Sequence, residues 1–245
     1  MNLAVAERFV SINGEGLQAG RLATFIRFCG CNLHCAYCDT RWACEPCFKG
    51  EHIDIDCLVD YVVDAGCVCV TLTGGEPLLQ PALPQFVKRL LGMKTTDNRA
   101  FEIEIETNGA LSLETLAHLR QSVPKPCQTP DDQTSNDARG YVSFTMDWKC
   151  PSSGMTDYML HENLAYLTKR DTIKFVVGTQ DDLECARRLV QDNNLTVQTN
   201  VLLSPVFGGI EPKEIVEYMK RYDLVDVRFQ LQLHKFIWPP TQRGV

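Results

Sequence analysis

The chain has 245 residues, 44% of them hydrophobic and 22% charged, and a formal net charge of −7. That supplies one medium-sized α/β core. The acidic balance argues against broad nucleic-acid binding, which needs a basic surface, and no apolar run approaches the length of a membrane span. Met1 to Glu7 has neither a basic start nor a long apolar run, so no signal peptide is expected. Twelve cysteines could suggest a disulfide scaffold, but such frameworks belong to small exported domains. A cytoplasmic chain with reduced thiols is the expectation.

In chain order, Thr24–Phe28 reads as a first strand that ends at a cysteine-rich loop. Asp56–Ala65 reads as a helix and Cys67–Leu72 as the next strand. Leu83, Phe86, Val87, Leu90 and Leu91 recur at helical spacing and predict a helix over 82–91. Phe101–Glu106 is a strand, and Leu113, Leu116 and Leu119 mark a helix that Ser112 can cap. Gln121–Gly140 is polar and aperiodic, and reads as a mobile insertion. Val142–Asp147, Ile173–Val177 and Val197–Leu203 supply three more strands, with helices near 158–168 and 180–192 between them. The second of these has Thr179 and Asp182 placed as a capping box. Pro212 opens a helix to Arg221, and Asp226–Leu231 is a last strand before an aromatic tail. Six strand–helix units in a single domain over 1–245 predict an α/β fold, a partial (β/α)6 barrel with a C-terminal extension. In such barrels functional residues lie at the C-terminal ends of strands.

The motifs sit at those ends. Cys31, Cys35 and Cys38 form a Cys-x₃-Cys-x₂-Cys triplet that can hold three irons of a cubane cluster and leave the fourth iron open. A zinc site that includes His34, or ordinary core cysteines, is the alternative. Thr73-Gly74-Gly75-Glu76-Pro77 follows the second strand; paired glycines admit a close-lying ligand, and a carboxylate can accept from an ammonium group. Glu106-Thr107-Asn108-Gly109, Asp147-Trp148-Lys149 and Ser204-Pro205 end later strands, where plain turns or a surface lysine are the structural alternatives.

The triplet, with Tyr37 before its last cysteine, and the Gly-Gly-Glu-Pro turn in the same order resemble the radical S-adenosylmethionine (SAM) enzymes. The resemblance implies a partial barrel of their type and a [4Fe-4S] cluster on Cys31, Cys35 and Cys38. It also implies SAM beside Tyr37, Cys38, Asp39, Gly75, Glu76, Thr107, Asn108, Asp147, Lys149 and Ser204. The radical forms on the cofactor, so no protein residue is assigned as catalytic.

Ser11-Ile12-Asn13-Gly14-Glu15-Gly16, Arg27, Thr40 and the tail Gln232–Trp238 with Arg243-Gly244-Val245 resemble, within that group, the 7-carboxy-7-deazaguanine synthases. These convert 6-carboxy-5,6,7,8-tetrahydropterin to 7-carboxy-7-deazaguanine with loss of ammonia, on the way to queuosine and other 7-deazapurines. The resemblance implies Mg²⁺ on Thr40, consistent with magnesium's preference for oxygen ligands and retained waters. It places substrate against Ile12, Asn13, Gly14, Glu15, Arg27, Thr73, His234 and Val245. Arg27 can clamp a carboxylate through two parallel bonds, and Glu15 can accept from an aminopyrimidine edge. The expected partners are the pterin, an electron donor such as flavodoxin and a second copy of the chain. Neither nucleic acid nor membrane is expected.

Asn13 stands where that family more often has Gln. Cys44 and Cys47 add a Cys-x₂-Cys, and Cys29 lies before the triplet; reduced bystanders are expected, with a second metal site as the alternative. Cys57, Cys67, Cys69 and Cys185 read as small core residues. The rival readings are an activase that places a glycyl radical on a partner enzyme, and an iron–sulfur electron carrier.

Overall fold

A computed structural model describes residues 1–45, 48, 50–122, 140–239 and 242–245. The 121–140 insertion therefore lies almost wholly outside the described residues, as does Cys47.

The chain begins with a long strand β1 (Asn2–Ile12), then β2 (Leu22–Phe28), a four-residue helix α1 (Arg41–Cys44) and β3 (Glu51–Asp54). Helix α2 (Ile55–Ala65), β4 (Cys69–Gly74), α3 (Leu83–Leu91), β5 (Glu102–Thr107), α4 (Glu114–Ser122) and β6 (Tyr141–Trp148) follow. The second half runs β7 (Thr172–Val177), α5 (Gln180–Asp192), α6 (Leu195–Gln198), β8 (Asn200–Pro205), α7 (Pro212–Arg221), β9 (Val227–Phe229) and α8 (His234–Ile237).

The nine strands of the described residues form one sheet in the order β3-β1-β2-β4-β5-β6-β7-β8-β9. Strands β2 and β4 to β9 are parallel, whereas β1 pairs antiparallel with both β2 and β3. The end strands β3 and β9 do not meet, so the sheet is an open partial barrel, as expected.

Period-two alternation gives the parallel strands two different faces. Ile26, Leu72, Ile103, Ile105, Phe144, Ile173, Phe175 and Leu203 are buried in one continuous core with Leu58, Phe86, Leu90, Leu116 and Leu183 from the helices. The opposite face carries Thr71, Thr73, Glu104, Glu106, Thr145, Asp147, Lys174 and Ser204. A parallel sheet normally buries apolar side chains on both faces. Here one face is polar because it lines a site.

Local chemistry explains the boundaries. Asp54 accepts from the Asp56 N–H at 3.0 Å to cap α2, which ends at Gly66 in the left-handed region. Ser112 Oγ accepts from Glu114 N at 3.2 Å, and the Thr179–Asp182 capping box is formed at α5.

Four expectations are corrected. Strands β1 and β3 were not expected, because antiparallel strands at one end of the sheet lie outside the strand–helix rhythm and the Ala- and Glu-bearing start of β1 has weak β-propensity. The segment 158–168 is not an α-helix but lies among short 3₁₀ turns at Pro151–Ser153, Thr156–Tyr158 and His161–Tyr166. Leu195–Gln198 is helical, so the strand expected from Val197 begins at Asn200. Cys57 is exposed on α2 and is not a core residue; Cys67 and Cys185 are half-buried, and Cys69 alone of the four is buried.

One buried ion pair ties the second half of the sheet together. Asp171, fully buried just before β7, accepts from Arg120 of α4 at 2.7 and 2.8 Å, from Phe144 N at 2.8 Å and from Thr168 N at 2.7 Å. Removing the guanidinium strands a buried carboxylate. Arg120→Ala is expected to lower unfolding free energy by about 3 kcal/mol, read as a lower urea midpoint at unchanged slope. A loss below about 1 kcal/mol would show that the neighbouring N–H donors suffice.

Candidate active site

β2 hands directly into the cysteine loop. Phe28, the last residue of β2, is level with Gly74 at the end of β4, and Gly30 turns the chain with a φ of 83°. Backbone bonds pin the loop to three other elements: Glu76 N donates to Gly30 O at 2.8 Å, Ala36 N to Ser153 O at 3.0 Å, and Gly30 N to Ala43 O at 3.0 Å. Cys31, Cys35, Tyr37 and Cys38 thereby line one cavity at the strand ends. Cys31 Sγ accepts from Leu33 N and from Asn108 Nδ2, both at 3.5 Å.

The donor set suits a cluster rather than a single ion. Among the described residues no three His, Cys, Asp or Glu side chains converge tightly enough for one metal, and His34 is exposed, away from the cavity. His34 therefore does not complete a metal site with the three cysteines. Three cysteines around one cavity, with N–H donors aimed at a sulfur, fit a cubane held through three irons.

Cys44, one turn after Thr40, lies within hydrogen-bond reach of both Cys31 and Cys38. Its thiol, ahead of the Leu33 and Thr40 N–H groups, draws those two down to about 6, whereas burial pushes Cys35 up. Cys44, expected to be a bystander, thus sits among the thiols of the triplet.

β4 and β5 build the next wall. Gly74 and Gly75 line the cavity, and a Cβ on Gly75 would run into the Gly30 carbonyl. Glu76 has a different place from the one expected. It is 0% exposed and does not line the cavity. Its carboxylate accepts from Leu78 N at 3.0 Å, Thr107 Oγ1 at 2.8 Å and Asn108 N at 2.7 Å. Burial pushes its pKa up to about 7 against those donors. Glu76 is a brace between β4 and β5 that places Thr107 and Asn108, both of which do line the cavity.

The floor is a chain of buried charges. Glu15 Oε2 lies 3.0 Å from Lys174 Nζ, which lies 3.1 Å from Asp147 Oδ1, whose other oxygen lies 2.9 Å from Lys149 Nζ. Ser204 does not reach the cavity itself; its hydroxyl donates to Glu15 Oε1 at 3.4 Å. Burial works against the charge on Lys174, but Asp147, Glu15 and Glu106 outweigh it and hold its pKa well above the ordinary value. The two lysines likewise depress Asp147 despite burial.

Lys174 was not singled out in the sequence and Glu106 was named only as part of its strand-end motif, without a site role, yet both line the cavity. The signal was present: Lys174 interrupts the apolar run of β7, and in Glu-Ile-Glu-Ile-Glu-Thr the glutamates alternate onto the polar face.

Arg27, at the outer wall, is held through Nε by Glu7 Oε1 at 2.8 Å. Ile12, Gly14, Glu15, Thr73, His234 and Val245 share the cavity with it. Asn13 does not: it is 1% exposed, its Oδ1 accepts from Thr71 Oγ1 at 2.9 Å, and its backbone pairs with Gly20 and Arg21. It anchors the loop that presents its neighbours. Gly14 must be small, because a Cβ there would strike the His234 ring, whose pKa burial lowers.

The tail is strapped across the cysteine loop. Lys235 Nζ lies 2.8 Å from Asp39 Oδ2, the Arg243 guanidinium sits 4.0 Å above the Trp42 ring, and Thr40 Oγ1 donates to Asp39 Oδ1 at 3.1 Å. Thr40 faces the cavity and Asp39 stands beside it. These two oxygen donors suit a hydrated Mg²⁺.

An open parallel barrel with a three-cysteine loop at its strand ends defines a radical SAM protein. The profile of the Radical SAM superfamily matches residues 25–138. The chain is 44% identical to the 7-carboxy-7-deazaguanine synthase of Clostridium acetobutylicum, over 100% of both chains. It is 33% identical to that of Chlorobaculum tepidum, over 99% of this chain and 97% of the other. The crystal structure of QueE from Escherichia coli matches with a TM-score of 0.62 over 96% of this chain and 95% of that one, at 21% identity, and so shares the fold. The chain belongs to the 7-carboxy-7-deazaguanine synthase family.

Two tests follow from the geometry. Gly75→Ala is expected to displace the Gly30 turn and, with it, Cys31. After anaerobic reconstitution its iron per chain should fall below about half the wild-type value; equal iron content would show that the turn can yield.

The second concerns Glu104, one layer beneath the floor. Its Oε1 accepts from Thr145 Oγ1 at 2.5 Å and its Oε2 has no partner. Burial, and next the neighbouring Glu106, push it up to about 7. A carboxyl whose folded pKa lies above its unfolded value holds its proton more tightly when folded. Its contribution to stability is therefore present below the unfolded pKa near 4.5 and lost as pH rises through about 7. Relative to Glu104→Gln, the wild type should lose up to about 3 kcal/mol between pH 4.5 and 8. Parallel stability–pH curves for the two proteins would refute the assignment.

Proposed function

We propose that this chain is a radical SAM lyase that converts 6-carboxy-5,6,7,8-tetrahydropterin to 7-carboxy-7-deazaguanine with loss of ammonia. The observation that carries the reading is a single cavity joining three cluster thiols to Arg27 and Glu15. Cys31, Cys35 and Cys38 would hold the [4Fe-4S] cluster, and with SAM bound beside it the pair would supply hydrogen-abstracting radical chemistry.

The remaining work belongs to the protein. Glu7 fixes Arg27 through Nε and leaves the terminal nitrogens for the pterin carboxylate. Glu15 accepts from the aminopyrimidine edge, supported by the backbone around Gly14 and by Thr73. His234, kept neutral by burial, and Val245 close the far side. Thr40 holds Mg²⁺ against the substrate. Tyr37, Asn108, Thr107, Asp147 and Lys149 surround SAM, and the strapped tail excludes water.

The full reading includes one domain over 1–245, an electron from a reduced carrier such as flavodoxin, a homodimer and a cytoplasmic setting. Among the described residues no helix is long and apolar enough to cross a membrane. A glycyl-radical activase would require a protein substrate and has no use for Arg27 and Glu15 beside the cluster.

Anaerobic incubation of the reduced, reconstituted protein with SAM, Mg²⁺ and the carboxypterin should yield the deazaguanine acid and an equivalent of ammonia. No product would overturn the reading. Arg27→Ala, which loses a bidentate charged contact of about 3 kcal/mol, should turn over about 100-fold more slowly with the cluster's visible absorption unchanged. Wild-type turnover in that variant would refute the clamp.

A further inference from the structure

The floor of the cavity contains more charge than the binding roles require. Four ionised side chains run in a line, alternating in sign: Glu15, Lys174, Asp147, Lys149. Lys174 is the hinge of that line, since its one ammonium serves both carboxylates and its residue is only 5% exposed. Glu15 at one end faces the pterin side, and Lys149 at the other faces the thiols and Tyr37, whose charges act on it.

We propose that Lys174 is a positioning residue that couples pterin binding to SAM binding through the ion chain Glu15–Lys174–Asp147–Lys149. The inference rests on the functional reading above, in which Glu15 takes the pterin and Lys149 takes SAM.

The argument is one of competition for lone pairs. Apart from the weak 3.4 Å bond from Ser204, Glu15 is engaged by Lys174. A ligand edge that donates two N–H bonds to Glu15 displaces Lys174 from it. The ammonium cannot remain half-paired in a buried site, so it turns to Asp147, already 3.1 Å away. Asp147 then has its charge met by Lys174 and holds Lys149 less firmly. Lys149 is left with a donor to turn toward the carboxylate or ribose oxygens of SAM. Glu106, which also faces Lys174, is engaged by the Thr73 hydroxyl and adds to Asp147 and Glu15 in favouring the charged lysine.

The coupling is positive and, by linkage, reciprocal: SAM must favour the pterin by the factor by which the pterin favours SAM. The lysine thereby makes the complete ternary complex the favoured one, which suits a reaction whose radical has to form beside its substrate.

The test uses the reconstituted holoenzyme with the cluster oxidised, so that nothing turns over. Equilibrium dialysis of labelled SAM, with and without saturating 6-carboxytetrahydropterin, gives the two dissociation constants. Wild type should bind SAM about fivefold or more tightly with pterin present, at the low end of usual couplings. In Lys174→Gln the two constants should agree within about twofold, even if both are weaker. A merely structural lysine would weaken both and leave their ratio as in wild type. Lys174→Arg, which keeps the charge, should restore most of the ratio. If Lys174→Gln does not fold, Lys149→Gln at the end of the chain should abolish the ratio in the same way.

A wild-type ratio below about twofold, or an undiminished ratio in the glutamine variants, overturns the proposal. Pterin that binds without altering SAM affinity sinks only the coupling. Pterin that does not bind at all, measured by its own dialysis, sinks the substrate reading and the coupling together.

Discussion

Everything at the strand ends depends on pairing charge within the polar face of the sheet. An unpaired ammonium or carboxylate at that depth would be prohibitive, and even paired ions do little more than offset their desolvation. The chain Glu15–Lys174–Asp147–Lys149 meets the condition by alternation. It draws on a loop before β2 and on the neighbouring strands β6 and β7, so the pairing specifies which elements must lie side by side. Hydrophobic burial on the opposite face supplies the stability, and the ions supply the register. A one-residue slip of β7 would send Lys174 into the apolar core and Phe175 into the cavity.

The same alternation explains what could be read from the sequence. The parallel strands and most helices were legible because Ile, Val, Leu and Phe recur with the right period, and because Ser112, Thr179–Asp182 and Pro212 mark helix starts by their own chemistry. The cysteine loop, Gly75, Asn108 and Lys149 were legible as motifs at strand ends. The antiparallel strands β1 and β3 were not, since they fall outside the strand–helix rhythm and periodicity carries no information about pairing. The 3₁₀ turns between Pro151 and Tyr166 were not legible either. Leu160, Leu164 and Leu167 have helical spacing, but tertiary contacts tighten the segment: Asn163 is drawn onto the carbonyls of Gly109 and Leu111 at 3.0 and 2.8 Å.

The site residues divide along the same line. Motifs show which residue types gather, and only packing shows which of them face the cavity. Asn13 and Glu76 belong to recognisable motifs but are turned inward, Asn13 Oδ1 onto the Thr71 hydroxyl and the Glu76 carboxylate onto the Thr107 hydroxyl and the Asn108 backbone. Lys174 belongs to no motif and faces the cavity. A strand lysine amid apolar neighbours is costly unless it is paired. Such a residue is a site candidate on physical grounds alone.

Glu76 shows how one carboxylate serves a site it does not touch. Its oxygens gather the start of the Pro77–Leu79 turn, the Thr107 hydroxyl and the Asn108 backbone, while its own N–H holds the Gly30 carbonyl. The two loops that carry Cys31 and Asn108 are thereby fixed to one buried residue, and the Asn108 amide then reaches Cys31 Sγ at 3.5 Å. Because Gly75 leaves no room between these loops, the cysteine loop cannot move independently of β4 and β5. The cluster loop is short and lacks a strand of its own, and its rigidity is borrowed from the sheet through Glu76.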